Sequence, residues 1–273
     1  MNCIFAHVTF KQVMAYLFIS LGLYMSTNAQ PKRDPKFFDY DEQLTWDRVA
    51  EAKSMHEHSL EQQFEEKGLS YPPEEIYLRA LKFEEVLEVW VLNGSNFELF
   101  KEYEICRNSG HLGPKRQQGD RQVPEGFYFI EIFNPRSSYH LSLGINYPNE
   151  SDSILGVKES LGGDIYIHGN CVTVGCLPLQ DEPVSELYWL SVRTKANGQD
   201  KIPVHIFPAR MDLINYEKLL VQNPDKSETI HFWSNLRKGY VYFEKFRMLP
   251  EIKVRPNGEY VIFPDYSRMQ SSR

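Results

Sequence analysis

His168 and Cys176 stand eight residues apart in the run Asp164-Ile-Tyr-Ile-His168-Gly169-Asn170-Cys171-Val172-Thr173-Val174-Gly175-Cys176-Leu177. A cysteine attacks as its thiolate, so a nucleophilic cysteine needs a base beside it. It also needs backbone N–H donors for the oxyanion that the attack creates. His168 can be the base. Gly175 carries no side chain to cover the neighbouring amides, so the Gly175 and Cys176 N–H groups are the candidate donors. An imidazole base needs its other nitrogen held, and a backbone carbonyl such as that of Gly169 would do this.

Two other chemistries compete for the same residues. His168, Cys171 and Cys176 could bind zinc, but a structural zinc takes four ligands and no fourth is evident. Cys171 and Cys176 could form a disulfide, which would silence Cys176. Failing both, Cys171 reads as a small buried apolar residue, as does Cys106.

These residues need elements to position them. A strand over Asp164–His168 delivers His168 at its end, and Gly169 permits a sharp departure. Further strands are expected at Ile76–Leu81, Val86–Leu92, Phe97–Ile105, Phe127–Phe133, Tyr139–Ile145 and Ile202–Phe207. Asn93-Gly94-Ser95-Asn96 joins two of them as a hairpin. In Phe97–Ile105 one parity is apolar (Phe97, Leu99, Tyr103, Ile105) and the other acidic. A long loop over Asn108–Glu125 carries Lys115 and Arg116, which could meet a substrate carboxylate or be solvated charges. Asp120 reads as a turn residue. Helical spacing covers Asp41–Lys67, with Gly68 as the stop. It returns at Met211–Val221 and Thr229–Phe246, and a hairpin follows at Ile252–Phe263. Tyr139 and Tyr166 read as strand packing, His140 as mid-strand, His205 as core, and His56 and His58 as surface.

The chain has 273 residues, 42% of them hydrophobic and 14% aromatic, which allows one large domain with appendages. Its 30 basic and 37 acidic residues leave a net charge of −7. A protein that grips nucleic acid phosphates usually shows a basic surplus, so nucleic acid is not an expected partner. At the N-terminus Lys11 precedes an apolar run from Val13 to Met25, followed by Ser26-Thr27-Asn28-Ala29-Gln30. That pattern reads as a secretory signal peptide over residues 1–29, cut after Ala29. The run is short for an uncleaved anchor, the other reading. The mature protein is then exported to the periplasm or cell envelope and meets the membrane only before cleavage. Cleavage removes Cys3 and leaves Cys106, Cys171 and Cys176, an odd number, so at least one thiol has no partner within the chain.

Ordered blocks carry a family resemblance. They are Gly113-Pro114-Lys115, Gly119-Asp120, Pro124-Glu125-Gly126-Phe127-Tyr128, Asn134-Pro135-Arg136-Ser137, Leu141 to Asn149, His168 to Cys176, and Ile202 to Pro208. Together they resemble the L,D-transpeptidase catalytic domain, the YkuD family, and within it the YafK-like branch, over about residues 76–248. The resemblance implies a mainly β protein with flanking helices around a YkuD-like β-sandwich core. It divides the chain into a signal peptide (1–29), a polar leader and helix (30–75), the catalytic domain (76–208) and a helical C-terminal extension with a short hairpin (209–273). It implies Cys176 as nucleophile, His168 as base, the Gly169 carbonyl as its orienting group, and Thr173 as the hydroxyl of a Ser/Thr-x-Gly-Cys pattern. Asn170, Thr173 and Lys115 are the substrate-binding candidates. The implied substrate is the peptidoglycan stem peptide, with D-Ala released, a thioester formed, and no cofactor or metal. The departures are the eight-residue His-to-Cys interval, Val174 before Gly175, and Leu177-Pro178 after the cysteine. They keep open a peptide hydrolase or amidase of the same fold, or a wall-binding module without activity.

Overall fold

The computed structural model describes residues 38–265, so the expected signal peptide, Cys3 and most of the polar leader lie outside the described residues. Two helices open the described chain, α1 (Tyr40–Leu44) and α2 (Asp47–Glu66). Val49, Ala52, His56, Leu60 and Phe64 form the buried stripe of α2, at the turn spacing expected of a helix with one packed face. Gly68, at φ +67°, ends it in a left-handed turn.

The strands follow as β1 (Ile76–Leu81), β2 (Val86–Asn93), β3 (Asn96–Glu104), β4 (Gly126–Asn134) and β5 (Ser142–Ile145). After the short helix α3 (Glu150–Leu155) come β6 (Tyr166–His168) and β7 (Leu177–Pro178), then helix α4 (Asp181–Ala196) and β8 (Pro203–Phe207). Helices α5 (Leu213–Val221) and α6 (Ser227–Phe246) and the hairpin β9 (Glu251–Val254) and β10 (Tyr260–Phe263) complete the chain. Eight strands form one mixed sheet in the order β3-β2-β1-β8-β4-β5-β6-β7, parallel at β1/β8 and β6/β7. The architecture is mainly β with flanking helices, as expected.

Alternation along β1 sends its two faces into different cores. Ile76, Leu78 and Ala80 join the main cluster with α2 and α4. Tyr77 packs against Phe243 of α6 on the other face. Strands from both ends of the sheet contribute to the main cluster, so the curled sheet closes around α4. The register of β3 corrects its expected parity. Val89 pairs with Lys101 and Trp90 with Leu99, so Phe100 is a bulge. Phe100 is consequently buried and Leu99 is 41% exposed.

Other expectations change as well. Tyr139 and His140 precede β5 instead of lying in it, and His140 has φ +64°. His56 is buried against Glu186 at 4.0 Å, while His58 is exposed. His205 is a core residue, packed between the rings of Tyr77 and Phe127. Burial pushes its pKa down to about 3. Among the described residues no helix is long and apolar enough to cross a membrane.

Candidate active site

Strand β6 ends at His168, and β7 lies parallel to it, with Ile167 opposite Leu177 and His168 opposite Pro178. Cys176 immediately precedes β7 and therefore sits beside Tyr166. The Tyr166 N–H donates to Cys176 Sγ at 3.4 Å. His168 is two residues further along the same face of the strand, about 7 Å by strand geometry. His168 Nδ1–H donates to the Gly169 carbonyl at 2.6 Å. This leaves Nε2 as the unprotonated nitrogen of the neutral ring. Burial holds the His168 pKa below the ordinary histidine value, against the raising effect of the Gly169 bond.

A Cβ at Gly169 would meet Asp181 Oδ1 at 2.5 Å and the Tyr139 carbonyl at 2.9 Å, so only glycine fits there. Asn170 takes φ +63°, and its N–H donates to Asp181 Oδ1 at 2.9 Å. Its side chain is left exposed at the rim. Asp181 thus joins the first turn of α4 to the loop that carries the histidine.

Cys171 is disulfide-bonded to Cys106, with Cα atoms 5.6 Å apart. This corrects the reading of both as simple buried residues. It also removes the Cys171–Cys176 pairing and takes the Cys171 sulfur out of the zinc set. Among the described residues Cys176 is the free thiol. Burial raises its pKa and the Asp164 charge adds to this, while the Tyr166 amide and Lys115 oppose it. Besides the Tyr166 contact, Sγ donates to the Asp164 carbonyl at 3.6 Å. Among the described residues no hydrogen bond joins Cys176 to His168, so at rest the site pairs a thiol with a neutral imidazole.

Thr173 organises the turn before the cysteine. Its Oγ1 accepts the Cys176 N–H at 2.8 Å and the Gly175 N–H at 3.2 Å, and donates to the Cys176 carbonyl at 2.8 Å. The two amides expected to face an oxyanion are therefore occupied at rest. Gly175, at φ +132°, passes so close to the Gln122 carbonyl that a Cβ would lie 3.0 Å from it.

Lys115 is buried, donating to Asp120 Oδ1 at 2.7 Å and the Gln117 carbonyl at 2.9 Å. Its ammonium is thus held by its own loop, close enough to Cys176 for its charge to act on the thiol. Asp120 is the turn residue expected, accepting the Arg116, Gln117 and Gln122 amides. Tyr166 packs as expected, its ring over Gly144. Tyr139 does not. Its ring lies against the His168 imidazole. The spacing gave no sign of this, because the contact arises from the pairing of Ser142 with His168 across β5 and β6.

A buried network also went unread. Lys82 Nζ donates to Glu125 Oε1 at 2.8 Å and to the Gly113 and Val123 carbonyls at 2.9 Å each. Trp233 of α6 donates to Glu125 Oε2 at 2.7 Å. This network ties the long loop, and with it Gln122, to the C-terminal extension. Its one sequence signal was Glu125 within Pro124-Glu125-Gly126.

No family model matches the chain. The chain is 34% identical over 189 residues to the "Putative L,D-transpeptidase YafK" of Escherichia coli, strains K12 and O157:H7, covering 68% of this chain and 73% of that protein. Among solved structures it is similar to the helical cell shape determining protein Pgp2 from Campylobacter jejuni. The identity is 19% and the TM-score 0.41, over 66% of this chain and 73% of that one. Bd1075 of Bdellovibrio bacteriovorus gives 18% identity and a TM-score of 0.38, over 66% and 76%. On the relationship to YafK, the chain belongs to the L,D-transpeptidase (YkuD) family, in its YafK-like branch.

Proposed function

We propose that this protein is an exported, cysteine-dependent L,D-transpeptidase acting on peptidoglycan stem peptides. The observation that supports it most is the orientation of His168. With Nδ1–H given to Gly169, Nε2 is the available base, and the one free thiol among the described residues lies beside the same strand.

Cys176 gives its proton to His168 Nε2 as Sγ attacks the carbonyl of the diamino acid preceding the terminal D-Ala. Rotation about χ1, the only side-chain torsion of cysteine, turns Sγ away from Tyr166 and Asp164 toward the imidazole. The tetrahedral oxyanion takes the Gly175 and Cys176 N–H groups from Thr173. As it collapses the C–N bond breaks, and His168 returns its proton to the departing D-Ala amine, leaving a thioester. An acceptor amine then attacks the thioester, its proton passes to His168, and the thiol is regenerated. Asn170, exposed at the rim, contacts the peptide. Export through the segment at residues 1–29 places the enzyme with its substrate.

The hydrolytic reading has its own support. Leu177 and Pro178 are buried in β7, so no polar group follows the nucleophile to receive an amine. Water would then take the thioester.

Purified protein incubated with tetrapeptide muropeptides should release D-Ala and show an acyl adduct on Cys176 by intact mass. Cross-linked dimers among the products support transpeptidation, and trimmed peptides support hydrolysis. Equal D-Ala release by wild type and Cys176→Ala would overturn both, whereas a Cys176 that no thiol probe labels, with binding to sacculi retained, would put a wall-binding role in their place.

A further inference from the structure

A cleft of about 780 Å³ opens between the long loop after β3, the first turn of α6 and the β9–β10 hairpin. Neither His168 nor Cys176 lines it. One wall belongs to the catalytic domain and the other to the C-terminal extension, joined beneath by the Lys82–Glu125–Trp233 network.

Arg116 and Lys226 are the cations of its lining, and Glu228 and Glu259 the acids. Arg116 is held from two sides, with Nη1 donating to Asp152 Oδ1 at 3.2 Å and the guanidinium 4.7 Å from the Phe232 ring. A guanidinium has five N–H donors, and the Asp152 bond uses one. Arg116 lines the cleft, and among the described residues no other side chain is its hydrogen-bond acceptor. Across from Arg116, Lys226 precedes α6 without capping it through its side chain. The Ser227, Glu228 and Thr229 amides donate to no described residue. Of the two acids in the cleft, Glu259 is already paired with His231 at 2.8 Å and Arg255 at 3.4 Å. Glu228 is the other, and it suits a ligand that carries an amine near its acid.

The cleft also borders the nucleophile loop. The Gln122 side chain lines it, accepting the His111 N–H at 2.7 Å. The carbonyl of the same residue abuts Gly175.

We propose that this cleft binds a free carboxylate of the peptide whose acyl group reaches Cys176, between Arg116 and Lys226. The identity of the peptide rests on the function proposed above, whereas the anion chemistry does not. The C-terminal extension is thereby a substrate-binding wall.

The test uses the full chain carrying Cys176→Ala, so that binding is read without turnover. A stem tetrapeptide with free carboxylates, and the same peptide with carboxamides in their place, are titrated by calorimetry. The acid form should bind about tenfold tighter, the scale of a charge-assisted hydrogen bond. Adding Lys226→Glu with Thr229→Glu should erase that preference at an unchanged unfolding midpoint. Acids in the first turn favour a helix, so these changes oppose the ligand and not the fold. Equal affinities for the two peptides, no binding of either, or a preference that survives the double change would each overturn the proposal. Acylation of Cys176 is measured separately on the wild type. If acylation is absent but the carboxylate preference is present, the proposed function falls and the cleft stands. The opposite pair of results does the reverse.

Discussion

The Tyr139 ring lies 4.8 Å from the His168 imidazole with the planes tilted by 32°, and the Tyr139 carbonyl accepts the Gly169 N–H at 3.0 Å. One residue therefore covers the His168 imidazole and holds the glycine whose carbonyl orients it. Arg48 of α2 donates to the Ser137 and His140 carbonyls, both at 2.6 Å, and so brackets Tyr139. The leading helix in this way supports His168 from a distance.

Removing the Tyr139 ring should move the acid limb of activity. Burial depresses the His168 pKa, and the base works only when deprotonated. Tyr139→Ala hydrates the ring, so the pKa rises toward the ordinary value of about 6.5 and activity is lost at a higher pH on acidification. Tyr139→Phe keeps the cover and should keep the profile. The pH dependence of D-Ala release for the three proteins decides this, and an acid limb that stays in place in Tyr139→Ala would show the ring to be only packing.

Thr173 should be replaceable by serine and not by valine. Its hydroxyl makes three hydrogen bonds that shape the turn before Cys176. Valine keeps the shape but leaves two amides and a carbonyl without that partner, at about 1–3 kcal/mol for a buried group left unpaired. Serine restores all three. Chemical denaturation should therefore rank the wild type and Thr173→Ser together above Thr173→Val, and alkylation of Cys176 by iodoacetamide should separate them the same way.

Reduction of the Cys106–Cys171 bond should loosen the loop that leads to Cys176. The bond joins residues 65 apart, and closing a loop of that size restricts the unfolded chain by roughly 4 kcal/mol on the chain-entropy account. The unfolding midpoint should fall in reductant and in Cys106→Ser. Maleimide labelling of unfolded, unreduced protein spanning residues 30–273 should mark Cys176 alone, and reduction should expose the other two. Three labels before reduction would refute the pairing.

What the sequence revealed and what it hid have separate physical causes. The α2 stripe and the β9–β10 hairpin were legible because each has a single packed face or a turn signal in a short window. Helix α4 was not, since ten of its sixteen residues are buried. A helix enclosed nearly all round shows no polar face to set its period. The bulge at Phe100 exchanged the faces of β3 midway, which alternation counting cannot detect. Local spacing singled out His168 and Cys176 as candidates, and the expected bond from His168 to the Gly169 carbonyl is present. The partner of Cys171 was not, because the end of β3 meets β7 only in the folded sheet, where the Cys106 N–H donates to the Pro178 carbonyl at 3.1 Å. Tyr139 was missed for a similar reason, since it reaches His168 through strand register.

Asp152 should make stability fall as pH rises through the mildly acidic range. Its carboxyl is fully buried, accepting from the Tyr128 hydroxyl at 2.8 Å, from Arg116 at 3.2 Å and from the Asn149 N–H at 3.2 Å. Burial outweighs these partners and raises its pKa from 3.8 to about 6. The folded protein thus holds this proton more tightly than the unfolded chain. The stabilisation is complete below about pH 4, the unfolded value, and is lost as pH climbs through about 6. Two pKa units correspond to at most ~3 kcal/mol. Asp152→Asn cannot ionise, so its stability relative to wild type should improve steadily from about pH 4 to about pH 7. Losing the charge partner of Arg116 adds an offset to the variant at every pH, and the slope of the difference is what reports the buried proton. Urea unfolding of both proteins across that range measures it, and a difference that does not change with pH would mean that Asp152 is already ionised throughout.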